Sequence, residues 1–291
     1  PVAGGMMRFG IPKYRLPREV LDAEVQRILD LGVRLELGSK VSNVLQAKTE
    51  GGFDAVFLAV GAHIAKRAYI PAKDSSRILD AVAVLRSMEE AEQPMLGRRV
   101  VVYGGGNTAI DVARTAKRLG ATDAIIVYRR TRERMPAHDF EVEEALQEGV
   151  LIKWLSTIKN MADEGTLTVE KMALDDKGFP QPTGEVETLE ADSVVLALGQ
   201  DVDLSLLQDV PGLEIKDGVV QVIDAATWTV THTIPIGNNP HNIWFTAGGA
   251  EAIVTNWFDV SVSRIDAISK APLGDCITGV APAHVVSDFA G

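Results

Sequence analysis

A glycine-rich turn, Gly104 to Gly106, stands between a short β-branched run and an alanine-rich segment. Gly104, Gly106 and Ala109 follow the spacing G-x-G-x-x-A. In this pattern the first glycine permits a tight turn, the second lets the backbone approach a pyrophosphate, and the small third residue lets the next helix pack close to the strand. The N-terminus of that helix also attracts phosphate through its unpaired N–H groups and its dipole. The turn therefore predicts a site for a dinucleotide pyrophosphate.

The segments around the turn have the periodicity that the motif requires. The run RRVVVYG before it is typical of a strand buried on both faces, and a helix is predicted from about Asn107 to Leu119 with Gly120 as its terminator. A second strand, Ala124 to Tyr128, completes a βαβ unit. A glycine turn that binds nothing is the alternative, but the strand before and the helix after the motif favour nucleotide binding.

Four arginines follow the second strand and indicate which nucleotide would bind. An NAD site usually has an acidic residue about 20 residues beyond the glycines, where it binds the ribose hydroxyls. Here Arg129 and Arg130 lie 25 and 26 residues past Gly104, with Arg132 and Arg134 close behind. Guanidinium groups bind a 2′-phosphate, whereas an acid would repel it. A solvated basic loop is the alternative, and the sequence favours NADP(H).

The composition limits the other functions that the chain could have. The net charge of −11 disfavours nucleic acid as a partner, because polyphosphate binding needs a basic face. The single cysteine, Cys276, excludes a disulfide framework or a cysteine-ligated cluster within this chain. No apolar run approaches the roughly 18 residues of a membrane span, and we see no signal peptide, so a cytoplasmic location is expected. The five histidines have no metal-ligand spacing, and no metal site is predicted.

Several long motifs occur in an order that resembles a known family. They are GGMMRFGIPKYRLPREVLDAEVQRILDLGV (Gly4–Val33), FDAVFLAVGA (Phe53–Ala62), GGGNTAIDVARTAKRLGA (Gly104–Ala121), IVYRRTRERMPA (Ile126–Ala137) and ADSVVLALGQ (Ala191–Gln200). Together they cover about residues 1–221. This part of the chain is similar to the glutamate synthase small subunit and its flavoprotein relatives, which pass hydride between NADPH and FAD.

The resemblance implies two cofactors and a set of residues for each. The positions carried over for NADP are Gly104, Gly105, Gly106, Asn107 and Thr108 at the pyrophosphate, Arg129 and Arg130 at the 2′-phosphate, and Gly199. The positions carried over for FAD are Gly4, Gly5, Arg8 and Gly61. The protein's task would be to stack the nicotinamide on the flavin ring, so no acid–base pair is nominated as catalytic. An iron–sulfur or other redox partner subunit would accept the electrons.

The chain departs from the family pattern in two places. The family's first GxGxxG, which seats FAD, is expected upstream of Pro1, and half of an FAD site would then lie outside this sequence. The family also has an aspartate facing the flavin phosphate in a GGD segment. FTAGGAEA (Phe245–Ala252) resembles that segment, but Ala250 stands where the aspartate belongs.

Residues 222–291 differ in kind from the rest and repeat internally. VIDAATW at Val222 corresponds to RIDAISK at Arg264, and PHNIWFTAGG at Pro240 corresponds to PAHVVSDFAG at Pro282, both at an offset of 42. A period near 40–45 with β-rich segments is typical of propeller blades. The segment resembles the repeats of YVTN-type β-propellers. A divergent end of the FAD domain is the alternative.

We therefore predict an α/β fold with a Rossmann-like NAD(P)-binding domain, a partial FAD-binding domain and a β-rich, propeller-repeat-like C-terminal segment. The expected boundaries are 1–76 for the FAD part, 77–200 for the NADP domain, 201–221 for a return segment and 222–291 for the tail. The preferred function is an NADPH-dependent flavin oxidoreductase or a subunit of one. The alternative is an NADP-binding module without redox activity, with the tail as a protein-interaction element. Pairing of the tail with another copy, as a homo-oligomer, is also left open.

Overall fold

The structure, a computed structural model, describes residues 2–72, 77–88, 94–162, 165–176, 178–210, 219–223, 227, 229–237, 240–256, 259 and 261–278. The helices are α1 (Gly5–Phe9), α2 (Arg18–Leu29), α3 (Val44–Gly51), α4 (Ala81–Ser87), α5 (Asn107–Arg118) and α6 (Asp139–Gln147). The strands are β1 (Ile64–Ala65), β2 (Ile78–Asp80), β3 (Arg99–Tyr103), β4 (Asp123–Val127), β5 (Leu151–Lys153), β6 (Ser156–Met161), β7 (Thr166–Leu174), β8 (Pro180–Glu190), β9 (Ser193–Leu196), β10 (Gln200–Asp201), β11 (Val219–Ile223), β12 (Val230–Pro235), β13 (Pro240–Phe245), β14 (Glu251–Asn256), β15 (Ser261–Asp266) and β16 (Pro272–Ile277).

The chain divides into two compact units. The first comprises Pro1–Lys40 and Ala59–Asp203, and the second comprises Val41–Leu58 and Leu204–Gly291. None of the helices in the described ranges is both long and apolar enough to cross a membrane.

A five-stranded parallel sheet forms the centre of the first unit. Its strand order is β2-β9-β3-β4-β5, so β3 lies in the middle. Val100, Val101 and Val102 of β3 are completely buried, as expected for a parallel sheet covered on both faces. The structure confirms the predicted βαβ unit, because β3, α5 and β4 fall within a residue or two of the boundaries inferred from the sequence.

The two faces of this sheet are covered by different layers. On one face, Val100 and Val102 pack against α5, where small side chains such as Ala109 and Ala113 bring the helix close to the strands. On the other face, Val101 packs against the antiparallel sheet β6-β7-β8 through residues such as Leu167. Alternate residues of one strand therefore anchor two layers, and β3 is fixed from both sides.

The sequence after α2 predicts short strands up to Gly61, but the structure differs there. Residues 44–51 form α3, because the Asn43 side chain accepts a hydrogen bond from the Gln46 N–H at 2.9 Å and caps the helix. Phe53–Ala62 forms no strand, and the Phe57 side chain is 92% exposed. A strand needs a neighbour with which to exchange backbone hydrogen bonds. No strand in the described ranges pairs with this segment.

The second unit is rich in β structure, as predicted, but it does not confirm a propeller. It contains the hairpin β11-β12 and the antiparallel sheet β13-β14-β15-β16, and these sheets do not close into a ring. Its core includes Val254 and Ile265. The β-strand character of Ile243 and Phe245 in β13 predicts that their side chains point partly inward, but both residues are about half exposed. Among the described strands, β13 is at the edge of its sheet with β14 as its one neighbour, which explains their exposure. PAHVVSDFAG, the second copy of the repeat that starts at Pro240, lies outside the described residues, and so does Trp257.

Candidate nucleotide-binding site

The carboxyl ends of β3 and β9 lie side by side and carry the two turns of the candidate site. Tyr103 at the end of β3 pairs with Leu196 at the end of β9, and the Ala197 N–H donates a hydrogen bond to the Tyr103 carbonyl oxygen at 2.8 Å. Gly104 follows with φ +149°, and a Cβ on it would lie 2.1 Å from the Ala197 carbonyl oxygen. Only glycine fits at this position, because the second turn abuts the first.

The other two glycines of the turn have different environments. A Cβ on Gly105 would lie 2.4 Å from the Tyr128 ring, so this glycine is required by packing inside the protein. A Cβ on Gly106 would meet nothing within 4 Å. Gly106 is therefore the position at which the backbone is open to an approaching ligand.

Helix α5 begins directly after Gly106, and no side chain caps its N-terminus. The first N–H groups of a helix have no acceptor within the helix, and together with the helix dipole they favour an anion. The Asn107 side chain instead accepts a hydrogen bond from the His138 N–H at 3.0 Å, while the Ala137 N–H donates to the Gly105 carbonyl at 3.2 Å. The loop after β4 is thus tied to the glycine turn.

The four arginines after β4 separate into groups with different partners. Arg132 forms an ion pair with Asp139 at 2.5 Å, and the Arg134 carbonyl accepts a hydrogen bond from the Tyr128 hydroxyl. Within the part of the chain that the structure describes, Arg129 and Arg130 form no ion pair, and the Nε of Arg130 is buried without a hydrogen-bond partner. These two guanidinium groups are available to an anionic ligand.

The Tyr128 ring connects the arginines with the glycine turn. Burial raises the pKa of the Tyr128 hydroxyl, and the nearby positive charges of Arg130 and Arg129 act in the opposite direction. The same ring occupies the space beside Gly105. The positive charge at the end of β4 therefore lies on the same edge of the sheet as the turn, where the carboxyl ends of parallel strands form a ligand site.

A cleft of about 1200 Å³ lies at the other end of this edge, beyond the carboxyl ends of β2 and β9. Leu196, Asp80 and Lys66 are among its lining residues. Gly199, with φ +98°, lies beside it, because the Gly199 carbonyl accepts a hydrogen bond from the Lys66 N–H at 2.9 Å. The sequence-predicted NADP positions thus follow one edge of the sheet, from the arginines through the glycine turn to the second turn.

The positions carried over for FAD make contacts of their own. Gly4 and Gly5 have φ of +113° and +49°, and the space around Gly5 is open. Arg8 is mostly buried, and its guanidinium binds the Ala3 carbonyl oxygen and the Asp22 carboxylate. Gly61 has φ +66° and lies near the His63 ring. No hydrogen bond or ion pair among the described residues joins Gly61 to the turn at Gly4.

A buried ionic cluster that the sequence analysis did not predict lies behind the glycine turn. One nitrogen of Arg15 contacts both carboxylate oxygens of Asp111, at 2.7 and 2.8 Å, and the other binds Glu141. Asp111 and Glu141 are almost completely buried. Tyr14 lies against Arg114 and Arg118 of α5. Two features of the sequence could have indicated this cluster. They are Tyr14 and Arg15 within GIPKYRLP, and the acid Asp111 inside the alanine-rich α5.

The two carboxylates of this cluster share one cation. Burial raises the pKa of Asp111 to about 6, the charge of Glu141 adds to this effect, and Arg15 opposes it. Burial likewise raises the pKa of Tyr14 to about 12, because ionisation of the phenol is unfavourable there. Asp111 therefore changes charge in a pH range in which an exposed aspartate is fully ionised.

Replacing Asp111 by asparagine is expected to remove a pH-dependent contribution to the free energy of unfolding. The pKa of this group is about 6 in the folded protein, against about 3.9 in an unfolded chain. Its contribution to stability is therefore fully present below pH 4 and is lost as the pH rises through 6. Urea unfolding at pH 4 to 7 should show this loss, on the order of 2–3 kcal/mol, in the parent protein relative to the variant. A difference between the two proteins that is constant with pH would contradict the shifted pKa.

A parallel sheet with a glycine turn after its central strand and a free helix N-terminus beside it defines an α/β dinucleotide-binding protein. The family model for pyridine nucleotide-disulphide oxidoreductase matches residues 10–234. The chain therefore belongs to the pyridine nucleotide-disulphide oxidoreductase family, and the predicted oxidoreductase class is confirmed at this level.

Individual relatives agree with this assignment. The chain is 39% identical over 221 residues to the NADP(+)-dependent formate dehydrogenase subunit beta of Moorella thermoacetica, a match that covers 71% of this chain and 31% of the relative. It is 35% identical over 237 residues to a putative glutamate synthase [NADPH] small chain of Cereibacter sphaeroides, covering 73% of this chain and 56% of the relative. The chain thus spans less than two thirds of these relatives.

A solved structure supports the fold. Mycobacterium tuberculosis FprA in complex with NADPH superposes with a TM-score of 0.55 at 17% identity, covering 67% of this chain and 61% of FprA. At this identity the similarity concerns the fold alone. It agrees with the mixed α/β architecture around the parallel sheet.

Proposed function

We propose that this chain binds NADPH and FAD in an NADPH-dependent oxidoreductase that passes hydride between the two cofactors. The observation that carries the proposal is that Arg129 and Arg130, at the end of β4 beside an open glycine turn, form no ion pair with a described residue. An NAD-specific site would have an acid there. Two relatives named for NADP(+) or NADPH, the formate dehydrogenase subunit and the glutamate synthase small chain, support the same choice.

The residues of this chain would act by binding and orienting the nucleotide. Arg129 and Arg130 would hold the 2′-phosphate, and the open backbone of Gly106 with the N-terminus of α5 would hold the pyrophosphate. Gly199 would lie beside the nicotinamide half, next to the cleft at β2 and β9. NADPH supplies the hydride when it is bound, and FAD accepts it.

Fewer residues of this chain are proposed to face FAD than to bind NADPH. Gly5 offers an open backbone, which a flat or phosphorylated ligand can approach closely, and Arg8 lies next to Gly4. Gly4 and Gly61 complete the set. We also propose the domain boundaries given above, and a redox partner subunit as electron acceptor, in keeping with relatives that are named as subunits of larger enzymes.

Equilibrium titration with NADPH and NADH tests the choice of nucleotide. The 2′-phosphate should form charge-assisted hydrogen bonds that NADH cannot form, each contributing about 1.5–3 kcal/mol. We therefore expect NADPH to bind at least tenfold more tightly than NADH, and the preference to weaken at high salt. Equal affinities for the two nucleotides would overturn the NADP assignment.

A second candidate is an NADP-binding module without redox activity, in which the β-rich unit contacts another protein. The half-exposed side chains of Ile243, Trp244 and Phe245 on the edge strand β13 favour this candidate. Absorbance near 450 nm after incubation with FAD and gel filtration separates the two functions, because bound flavin is yellow. The oxidoreductase proposal expects retained flavin that NADPH bleaches, and a colourless protein that still binds NADPH would favour the module.

A further inference from the structure

Helices α5 and α6 are held together by a series of polar contacts that starts at the glycine turn. The first contact joins the Asn107 side chain to the backbone N–H of His138, at the N-terminus of each helix. One helical turn further on, Asp111 and Glu141 are the corresponding residues. Another turn on, Arg114 binds Glu144 and Glu148. The middle position differs from the other two, because each helix contributes an acid there.

Arg15 supplies a positive charge beside Asp111 and Glu141, where the two helices contribute only acids. Its guanidinium binds Asp111 on α5 and Glu141 on α6 at the same time. The charged groups acting on Asp111 are Arg15, Glu141 and Arg114, and those acting on Tyr14 next to Arg15 are Asp111, Arg114, Arg118 and Glu148. Without Arg15, two buried carboxylates would face each other with the charge of Arg114 already shared by Glu144 and Glu148.

We propose that Arg15 is a positioning residue for the nucleotide site. It holds α5 and α6 together one helical turn beyond the glycine turn that would bind the pyrophosphate, and it neutralises Asp111 and Glu141 there. This inference rests on the proposed binding of NADPH. Asp111 is four residues from Asn107, and Glu141 is three residues from His138, so both acids lie about 5 Å along their helices from the residues that join the turn to the loop after β4. Negative charge at that depth opposes binding of an anionic ligand at the helix N-terminus.

Replacing Arg15 by methionine tests this role, because the charge is removed while the length of the side chain is kept. We expect NADPH affinity to fall roughly tenfold at pH 8, because no cation then neutralises the acids behind the turn. At pH 6 the loss should be smaller, because the pKa of Asp111 is about 6 with Arg15 in place and rises without it, so that Asp111 takes up a proton. The matched control is Arg27→Met on the exposed face of α2, where Glu24 is the one described residue with which Arg27 forms an ion pair. This control should bind NADPH like the parent protein at both pH values.

A second substitution distinguishes a charge effect from a folding defect. Arg15→Met combined with Glu141→Gln leaves a single ionisable acid at this level, and we expect it to recover most of the NADPH affinity at pH 8. Arg15→Lys keeps the charge and should lose less affinity than Arg15→Met. Urea unfolding of each variant reports whether it is folded.

The outcomes separate this inference from the function on which it rests. If the parent protein shows no preference for NADPH, the proposed function fails and the inference fails with it. If the parent prefers NADPH and Arg15→Met binds it equally well at both pH values, only the inference is overturned. It is also overturned if the loss is the same at pH 6 and pH 8 and Glu141→Gln does not restore binding, since Arg15 would then have a general structural role.

Discussion

Replacing Arg129 and Arg130 together by alanine is expected to weaken NADPH binding about a hundredfold or more and to leave NADH binding nearly unchanged. Each guanidinium lost from a 2′-phosphate removes a charge-assisted interaction of about 1.5–3 kcal/mol. A loss of about 1.4 kcal/mol corresponds to a factor of ten in affinity. The cost to folding should be small, because neither arginine forms an ion pair with a described residue.

Arg132→Ala is the matched control for this experiment. It removes a cation from the same loop, but one that already pairs with Asp139. Fluorescence titration with NADPH and NADH at fixed ionic strength measures all three proteins. The assignment of Arg129 and Arg130 would be contradicted if Arg132→Ala weakened NADPH binding as much as the double variant, or if the double variant lost both nucleotides equally.

The βαβ unit could be predicted from the sequence because the interactions that define it are local. The β-branched run before Gly104, the small residues of α5 and the terminator Gly120 are all close together in the chain, and each indicates the same structure. Residues 165–190 alternate around the turn sequence DDKGFPQPTGE, so the hairpin of β7 and β8 is predicted for the same reason. For these elements local propensity and burial in the sheet agree, so the predicted boundaries lie close to those observed.

The Arg15 cluster could not be predicted in this way. Arg15 lies 96 residues from Asp111 and 126 residues from Glu141 along the chain, and no periodic pattern connects them. An acid inside an amphipathic helix usually lies on its solvent face, whereas Asp111 lies on the buried face against a cation from elsewhere. Only the packing of α5 and α6 side by side brings the two acids to one guanidinium.

The errors at Phe53–Ala62 and in the β-rich unit have a related cause. An apolar, β-branched segment shows that a strand is favourable, but a strand forms only where a partner offers its edge. Phe53–Ala62 has no such partner among the described residues and forms no strand. In the β-rich unit the expected β structure is present in β11 to β16, because strand formation is favoured locally. Closure into a ring depends on contacts between blades, which a repeat length alone does not fix.

Two of the three glycines of the nucleotide turn, Gly104 and Gly106, should respond to alanine in different ways. Gly104→Ala places a Cβ 2.1 Å from the Ala197 carbonyl oxygen at φ +149°. Overpacking and backbone strain cost about 1–3 kcal/mol each. We expect a loss of about 4 kcal/mol in the free energy of unfolding, which corresponds to a fall of roughly 8–16 °C in Tm. Thermal unfolding followed by circular dichroism measures this change.

Gly106→Ala should instead keep the fold and lose the ligand. The new Cβ meets nothing within 4 Å in the protein, and alanine in place of the N-cap glycine of α5 costs about 1 kcal/mol at most. The methyl group would occupy the space through which a pyrophosphate approaches the backbone, so NADPH and NADH should both bind at least about tenfold more weakly. This loss differs from that of the arginine variant, which affects NADPH alone, because both nucleotides share the pyrophosphate. Unchanged NADPH affinity in a folded Gly106→Ala protein would show that the pyrophosphate does not lie at this turn.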